Sequence, residues 1–277
     1  MVCKQMTNEF TRRERYGFED LVKIVALLRS ENGCPWDKEQ NHKSIRRNLI
    51  EETYEVAEAI DNEDSGLLRE ELGDVMLQVV FHAQMEKEAG RFTIDDVADG
   101  ICKKLVVRHP HVFGEVEANT TEQVLENWDA IKKRTKGQRT QTQVLESVPK
   151  VLPALMRSEK VQEKAARVGF DWPDVSGAMD KTREELSELG EAAARGSRAE
   201  TLEETGDLLF SVVNVARKLG VEPEEALTAA CEKFIRRFAR MEKDAAQQGR
   251  ELSGMTPAEL DEEWEKAKTL PSGTAEA

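Results

Sequence analysis

Apolar residues recur at helical spacing along most of the chain. Phe18 to Ser30 (FEDLVKIVALLRS) places them on one face, and the run Glu31-Asn-Gly-Cys-Pro ends the pattern. His42 to Asn62 predicts a second helix and Leu67 to Ala89 a third. Thr93 opens a fourth, with Asp95 and Asp96 in its first turn, where the helix dipole favours acids. Val75 to Phe81 is apolar enough for a buried strand, but charged helix formers flank it, so the prediction is helix. The pattern breaks at Lys132 to Gln143 (KKRTKGQRTQTQ), which holds no apolar residue and reads as linker. Helical patterning resumes after Pro149 and Pro153, and the tail from Pro271 is expected to fray.

The pattern also repeats. Glu51-Glu52-x-x-Glu55 recurs 133 residues later as Glu184-Glu185-x-x-Glu188, and Glu70-Glu71-x-x-Asp74 recurs at the same offset as Glu203-Glu204-x-x-Asp207. Val79, Val80 and Ala83 map onto Val212, Val213 and Ala216. Further out the register drifts, with Trp36-Asp37 beside Trp172-Pro-Asp174, Lys104-x-x-x-Arg108 beside Lys233-x-x-x-Arg237, and Trp128-x-x-x-Lys132 beside Trp264-x-x-x-Lys268. Two similar all-α domains account for the 277 residues: 17–133, a linker over 134–150, and 151–270.

Charge narrows the function classes. The net charge of -14 disfavours nucleic acid and anionic membrane as partners. No apolar run reaches the ~20 residues of a bilayer span, and the N-terminus lacks a signal-peptide core. The four cysteines are far apart, without a Cys-x-x-Cys, so neither zinc site nor disulfide framework is indicated. These features predict a cytoplasmic protein.

The repeated acids carry the chemistry. Glu52 and Glu55 share one helix face, as do Glu71 and Asp74 on the next helix. If those faces pack, four carboxylates converge, and burying them unpaired costs several kcal/mol per ion, an order-of-magnitude figure. A hard divalent cation resolves the conflict, and oxygen-only ligands favour magnesium or manganese. In an acidic chain the ordinary reading of Glu-x-x-Glu is a solvated face. Its recurrence with the second pair at one offset argues for a site. Gly73 and Gly206, each inside a predicted helix at a cost of ~1 kcal/mol relative to alanine, are expected to allow close helix approach there. Helical di-iron sites use Glu-x-x-His. Here the motif is Glu-x-x-Asp in both copies, and no histidine recurs. In the second copy Lys233 and Arg237 lie four apart and suit phosphate oxygens. Trp264 suits base stacking, with Lys268 one turn on to reach a phosphate. Against this stand ordinary packing for Trp264 and a solvated basic face for Lys233 and Arg237.

Glu-Glu-x-x-Glu followed by Glu-x-x-Asp, twice, resembles the MazG nucleoside triphosphate pyrophosphohydrolases. The segments Arg108 to Gly114 (RHPHVFG), Gly169 to Asp174 (GFDWPD) and Glu232 to Phe238 (EKFIRRF) are similar to what that family carries. The resemblance runs from about Tyr16 to Leu270. It implies two tandem MazG-type helical bundles, a homodimer, and magnesium-dependent hydrolysis of NTP to NMP and pyrophosphate. It implies that Glu185, Glu188, Glu204 and Asp207 ligate metal, with Glu52, Glu55, Glu71 and Asp74 their first-copy equivalents. Lys181, Lys233, Arg237, Trp264 and Lys268 would contact nucleotide. Three positions depart from the pattern or thin it. Cys231 stands where the family often has Asn, Glu200 where it can have a basic residue, and Asn48 where the second copy has Lys181. The expected mechanism has Glu184 or Glu185 orient or deprotonate a water that attacks near the α-phosphorus, with the main activity in the second copy. Two alternatives stay open: a related all-α phosphohydrolase restricted to dUTP, dCTP or a phosphoribosyl nucleotide, and a non-catalytic helical interaction protein.

Overall fold

The computed structural model describes residues 10–114, 116, 120, 123, 124, 131 and 140–269. It divides into two compact units, Met1–Lys132 and Lys133–Ala277. All regular elements among the described residues are helical, as the periodicity predicts.

The first unit contains α1 (Phe18–Leu28), α2 (Pro35–Glu39), α3 (Arg46–Asp61), α4 (Ser65–Glu88), α5 (Ile94–Arg108) and α6 (Pro110–Phe113). The expected second helix begins later than the sequence pattern, because Asn41 to Ser44 close a side-chain turn in which Asn41 Oδ1 accepts from the Lys43 and Ser44 amides. Helices α3 and α4 form a hairpin, and α1 and α5 pack on α4. Val25, Ile45, Val80, Phe81 and Met85 make its buried core, with Leu21, Val22, Leu77 and Ile94 against it. Asp64 caps α4 by accepting from the Gly66 and Leu67 amides at 2.9 and 3.0 Å. Thr93 and Asp96 cap α5 reciprocally, as the Thr-x-x-Asp spacing requires.

The second unit contains α7 (Gln141–Glu146), α8 (Ala154–Ala166), α9 (Val175–Arg195), α10 (Arg198–Lys218), α11 (Pro223–Gln247) and α12 (Pro257–Thr269), with a 3₁₀ turn at Leu252–Gly254. The end of the polar stretch, from Gln141, thus opens a short helix capped by Thr140 that runs to Glu146 and packs on α8, while 132–139 lie outside the described residues. Helices α9 and α10 are the hairpin of this unit, α8 packs on α10 and α11, and α11 packs on α12. Ala178 and Ala192 of α9 are fully buried.

The repeat is structural as well as sequential. Its hairpins turn at equivalent positions, where Glu63 (φ 54°) and Gly196 (φ 71°) both take the left-handed conformation. Asp64 and Ser197 follow as the caps. One expectation fails. A side chain added at Gly73 or Gly206 would meet nothing within 4 Å, so these glycines do not serve helix approach within the hairpin. Each sits on the outer face of its helix.

A polar joint in the first unit has no counterpart in the second. His42 Nδ1 lies 2.7 Å from His82 Nδ1, and His42 Nε2 lies 2.5 Å from Glu86 Oε1. Arg91 closes the chain on both Glu86 oxygens. The equivalent positions in the second unit are Val175, Val215 and Leu219. Burial and then the charge of His42 push His82 below its ordinary 6.5. The hydrogen bonds from Arg91, with help from His42 and against partial desolvation, hold Glu86 at about 2. Both groups bind protons less readily folded than unfolded, so the unfolded chain gains protons first as pH falls. The contribution of His82 is complete above about pH 6.5 and declines below it; that of Glu86 is complete above about 4.5 and is lost toward 2. Amide-exchange protection in α4, corrected for intrinsic rates, should therefore fall between pH 7 and 5 more than in α10. Equal loss in both helices, or a slope unchanged by His82→Val, would contradict this.

Candidate active site

Each hairpin brings three glutamates together. Oxygens of Glu52, Glu55 and Glu71 lie within 4.8 Å of one another, and those of Glu185, Glu188 and Glu204 do the same. The i,i+3 pair comes from the first helix of the hairpin and the third acid from the second helix, so antiparallel packing of α3 on α4, and of α9 on α10, creates the cluster. Mutual repulsion shows in the acids. Desolvation, then Asp74 and Glu55, raise Glu52 above the ordinary carboxylate value. Desolvation, then Glu55 and Asp74, raise Glu71. In the second unit desolvation, then Glu188, Glu185 and Asp207, raise Glu204. Asp74 and Asp207 therefore stand close enough for their charges to act on the trios, beside the tight oxygen groups.

The donor set fits a hard divalent cation: oxygen-only, multiply charged, and part-buried. Glu185 is 5% exposed, which anchors the second trio in the packed hairpin. That trio already draws a cation from its own helix. The Lys181 ammonium sits 2.7 Å from Glu185 Oε1 and 2.8 Å from Glu184 Oε1, and these contacts raise its affinity for its proton.

Of the remaining expected contacts, Arg237 and Trp264 meet each other. Arg237 on α11 holds its guanidinium 5.9 Å above the Trp264 ring of α12. Phe234 meets the same ring at 5.0 Å, tilted by 44°. The sequence reading missed Phe234. Its signal was its place one turn before Phe238 in the EKFIRRF segment, but which of the two meets Trp264 depends on how α11 crosses α12. Lys233 is exposed and makes no ion pair among the described residues. Lys268 is paired with Glu265 at 2.5 Å, so it must change partner to meet a phosphate. Glu200 is tied to Arg195 at 2.9 Å, and Cys231 is exposed. Trp128 and Lys132, the first-copy counterparts of Trp264 and Lys268, lie outside the described residues.

Fold and site together define a helical protein with three converging glutamates, able to hold a cation, on each of two related hairpins. A family model described as the MazG nucleotide pyrophosphohydrolase domain matches the chain twice, over residues 40–113 and 175–241, each match enclosing one trio. The chain is 48% identical over 251 residues to the nucleoside triphosphate pyrophosphohydrolase/pyrophosphatase MazG of Thermotoga maritima, covering 91% of this chain and 95% of that one. It is 45% identical over 251 residues to the nucleoside triphosphate pyrophosphohydrolase of Escherichia coli K12, covering 90% and 95%. It is also 48% identical over 252 residues to YabN of Bacillus subtilis, covering 91% of this chain and 51% of that longer protein. The chain belongs to the MazG nucleotide pyrophosphohydrolase family.

Proposed function

We infer that this chain is a nucleoside triphosphate pyrophosphohydrolase that splits NTP or dNTP into the monophosphate and pyrophosphate with magnesium, or manganese in its place, chiefly at the second trio. The observation that carries the reading is the convergence of Glu185, Glu188 and Glu204 in a unit that also presents Lys233, Arg237 and Trp264. Glu185, Glu188 and Glu204, with Asp207 beside them, would hold the ion. When bound, magnesium neutralises the triphosphate and makes its phosphorus more electrophilic.

The chain's own residues supply the rest. Glu184 is the exposed neighbour of the buried Glu185, which suits it to take the proton from the attacking water. The water oxygen bonds to the α-phosphorus, the bond to the bridging oxygen breaks, and pyrophosphate leaves with that electron pair. Lys233 and Arg237 take up phosphate charge, and Trp264 stacks on the base. Lys181 and Lys268 change partner from carboxylate to phosphate. With an NTP and dNTP panel and magnesium, phosphorus NMR should show the monophosphate and pyrophosphate. A diphosphate with orthophosphate would contradict the reading. No turnover of any nucleotide would favour an interaction protein, and turnover of dUTP or dCTP alone would favour the restricted hydrolase.

No described helix is long and apolar enough to cross a membrane, and we place the protein in the cytoplasm. The same unit surfaces suit a homodimer. Met76 and Val79 on α4 are 43% and 41% exposed, and their equivalents Leu209 and Val212 on α10 are 51% and 47% exposed. Exposed apolar stripes of this kind mark interaction surfaces. Gly73 and Gly206, one turn before Met76 and Leu209, leave open space on that face for a second copy. Light scattering should give twice the 31.3 kDa chain mass, and a monomer at micromolar concentration would contradict the assignment.

A further inference from the structure

The two trios have the same acids but differ in what lies over them. In the second unit the Lys181 ammonium spans Glu184 and Glu185 at 2.8 and 2.7 Å. The position 133 residues earlier is Asn48, which has no charge to offer. Glu51, the equivalent of Glu184, turns instead to Arg47 at 2.7 Å, a side chain that is 87% exposed. Among the described residues no cation pairs with Glu52, Glu55, Glu71 or Asp74. One trio therefore carries a built-in counter-ion and the other does not.

That difference acts on ion loading. A divalent cation held by the trio and the Lys181 ammonium compete for the Glu185 carboxylate, the one trio member that the lysine touches, and repel each other strongly at these distances. Lys181 is tethered one turn from Glu184 and Glu185, so it is not diluted away and must be lifted off. Lifting it into water sacrifices two charge-assisted hydrogen bonds. A triphosphate offers the lysine an equivalent anionic partner at the moment it brings its own affinity for the divalent ion.

We propose that Lys181 is a tethered counter-ion that holds the second trio closed to divalent cations until a nucleoside triphosphate takes the lysine, whereas the first trio, which has Asn48 at the equivalent position, accepts the cation without nucleotide. The proposal rests on reading both trios as divalent-cation sites. It makes the second site load ion and substrate together, and the first site load ion alone.

The test is manganese binding to the full chain, read by electron paramagnetic resonance of free Mn2+, with and without the α,β-imido analogue of ATP. The wild type should show one class of Mn2+ binding without nucleotide and a second class only with it. Glu52→Gln should remove the first class and Glu185→Gln the second. Lys181→Met should make the second class nucleotide-independent, at least tenfold tighter than in the wild type without nucleotide. Asn48→Lys should weaken the first class by a similar factor until nucleotide is added. Equal binding to both trios in the nucleotide-free wild type would overturn the proposal while leaving the metal reading standing, as would Lys181→Met and Asn48→Lys profiles that match the wild type. No Mn2+ binding by any form, with or without nucleotide, would overturn both.

Discussion

Glu185→Gln should abolish most pyrophosphate release while Glu52→Gln leaves most of it. The substitution keeps the shape of a side chain that is 5% exposed, so the α9–α10 hairpin should remain folded, which circular dichroism would verify. What it removes is one full negative charge from the trio and one of the two carboxylates that Lys181 bridges. Charge stabilisation in a site of this kind is worth on the order of 10²–10³ in kcat when one well-placed group is lost. Glu52→Gln makes the same change in the first trio, where Asn48 replaces the lysine, and the expected loss is about twofold or less if the second unit carries the turnover. The reverse ranking would move the main activity to the first unit. Equal, large losses would mean that the two sites work together.

The second large effect concerns substrate affinity. Arg237→Ala should reduce kcat/KM by about 10- to 100-fold, because a charge-assisted contact to phosphate is worth ~1.5–3 kcal/mol. Its guanidinium is held over the Trp264 ring at 5.9 Å, so the loss should also loosen that ring. Trp264→Ala should raise KM by about tenfold or more with a smaller change in kcat, since base stacking is worth ~1–3 kcal/mol and is shared by ground and transition states. Trp264→Phe should restore part of that binding, as the ring would still meet Phe234. An unchanged KM in Trp264→Ala would assign the tryptophan to packing alone, the reading that stood beside the stacking role in the sequence.

How much of this was legible before the structure depends on the range of each interaction. The helices and the three glutamates of each cluster were, because both rest on spacing within one helix and on a repeat at constant offset; the sequence pattern put Asp74 and Asp207 in the same clusters, and the structure leaves them beside the tight oxygen groups. The i,i+3 glutamates had to share a face, and the repeat made it improbable that they were only surface charge. The role of Lys181 as a bridge was also within reach, since it lies three and four residues before Glu184 and Glu185. What was not legible depends on how separate helices meet. The contact of Phe234 with Trp264 needs the crossing of α11 and α12. The His42–His82 joint links residues 40 apart, and its absence at Val175 and Val215 shows only once the hairpins are superposed by their repeat. Gly73 and Gly206 were misread for the same reason. A glycine within a helix signals close approach by something, but the pattern cannot say whether that is a neighbouring helix or a surface outside the chain.

Manganese located by anomalous scattering, in crystals of the full chain grown with the α,β-imido analogue of ATP, would show whether the second trio holds the ion beside the substrate. An anomalous peak is expected among Glu185, Glu188 and Glu204, with the triphosphate reaching Lys233 and Arg237. Manganese absent from that trio while the nucleotide is bound and the crystallised protein turns over NTP in solution would contradict that expectation.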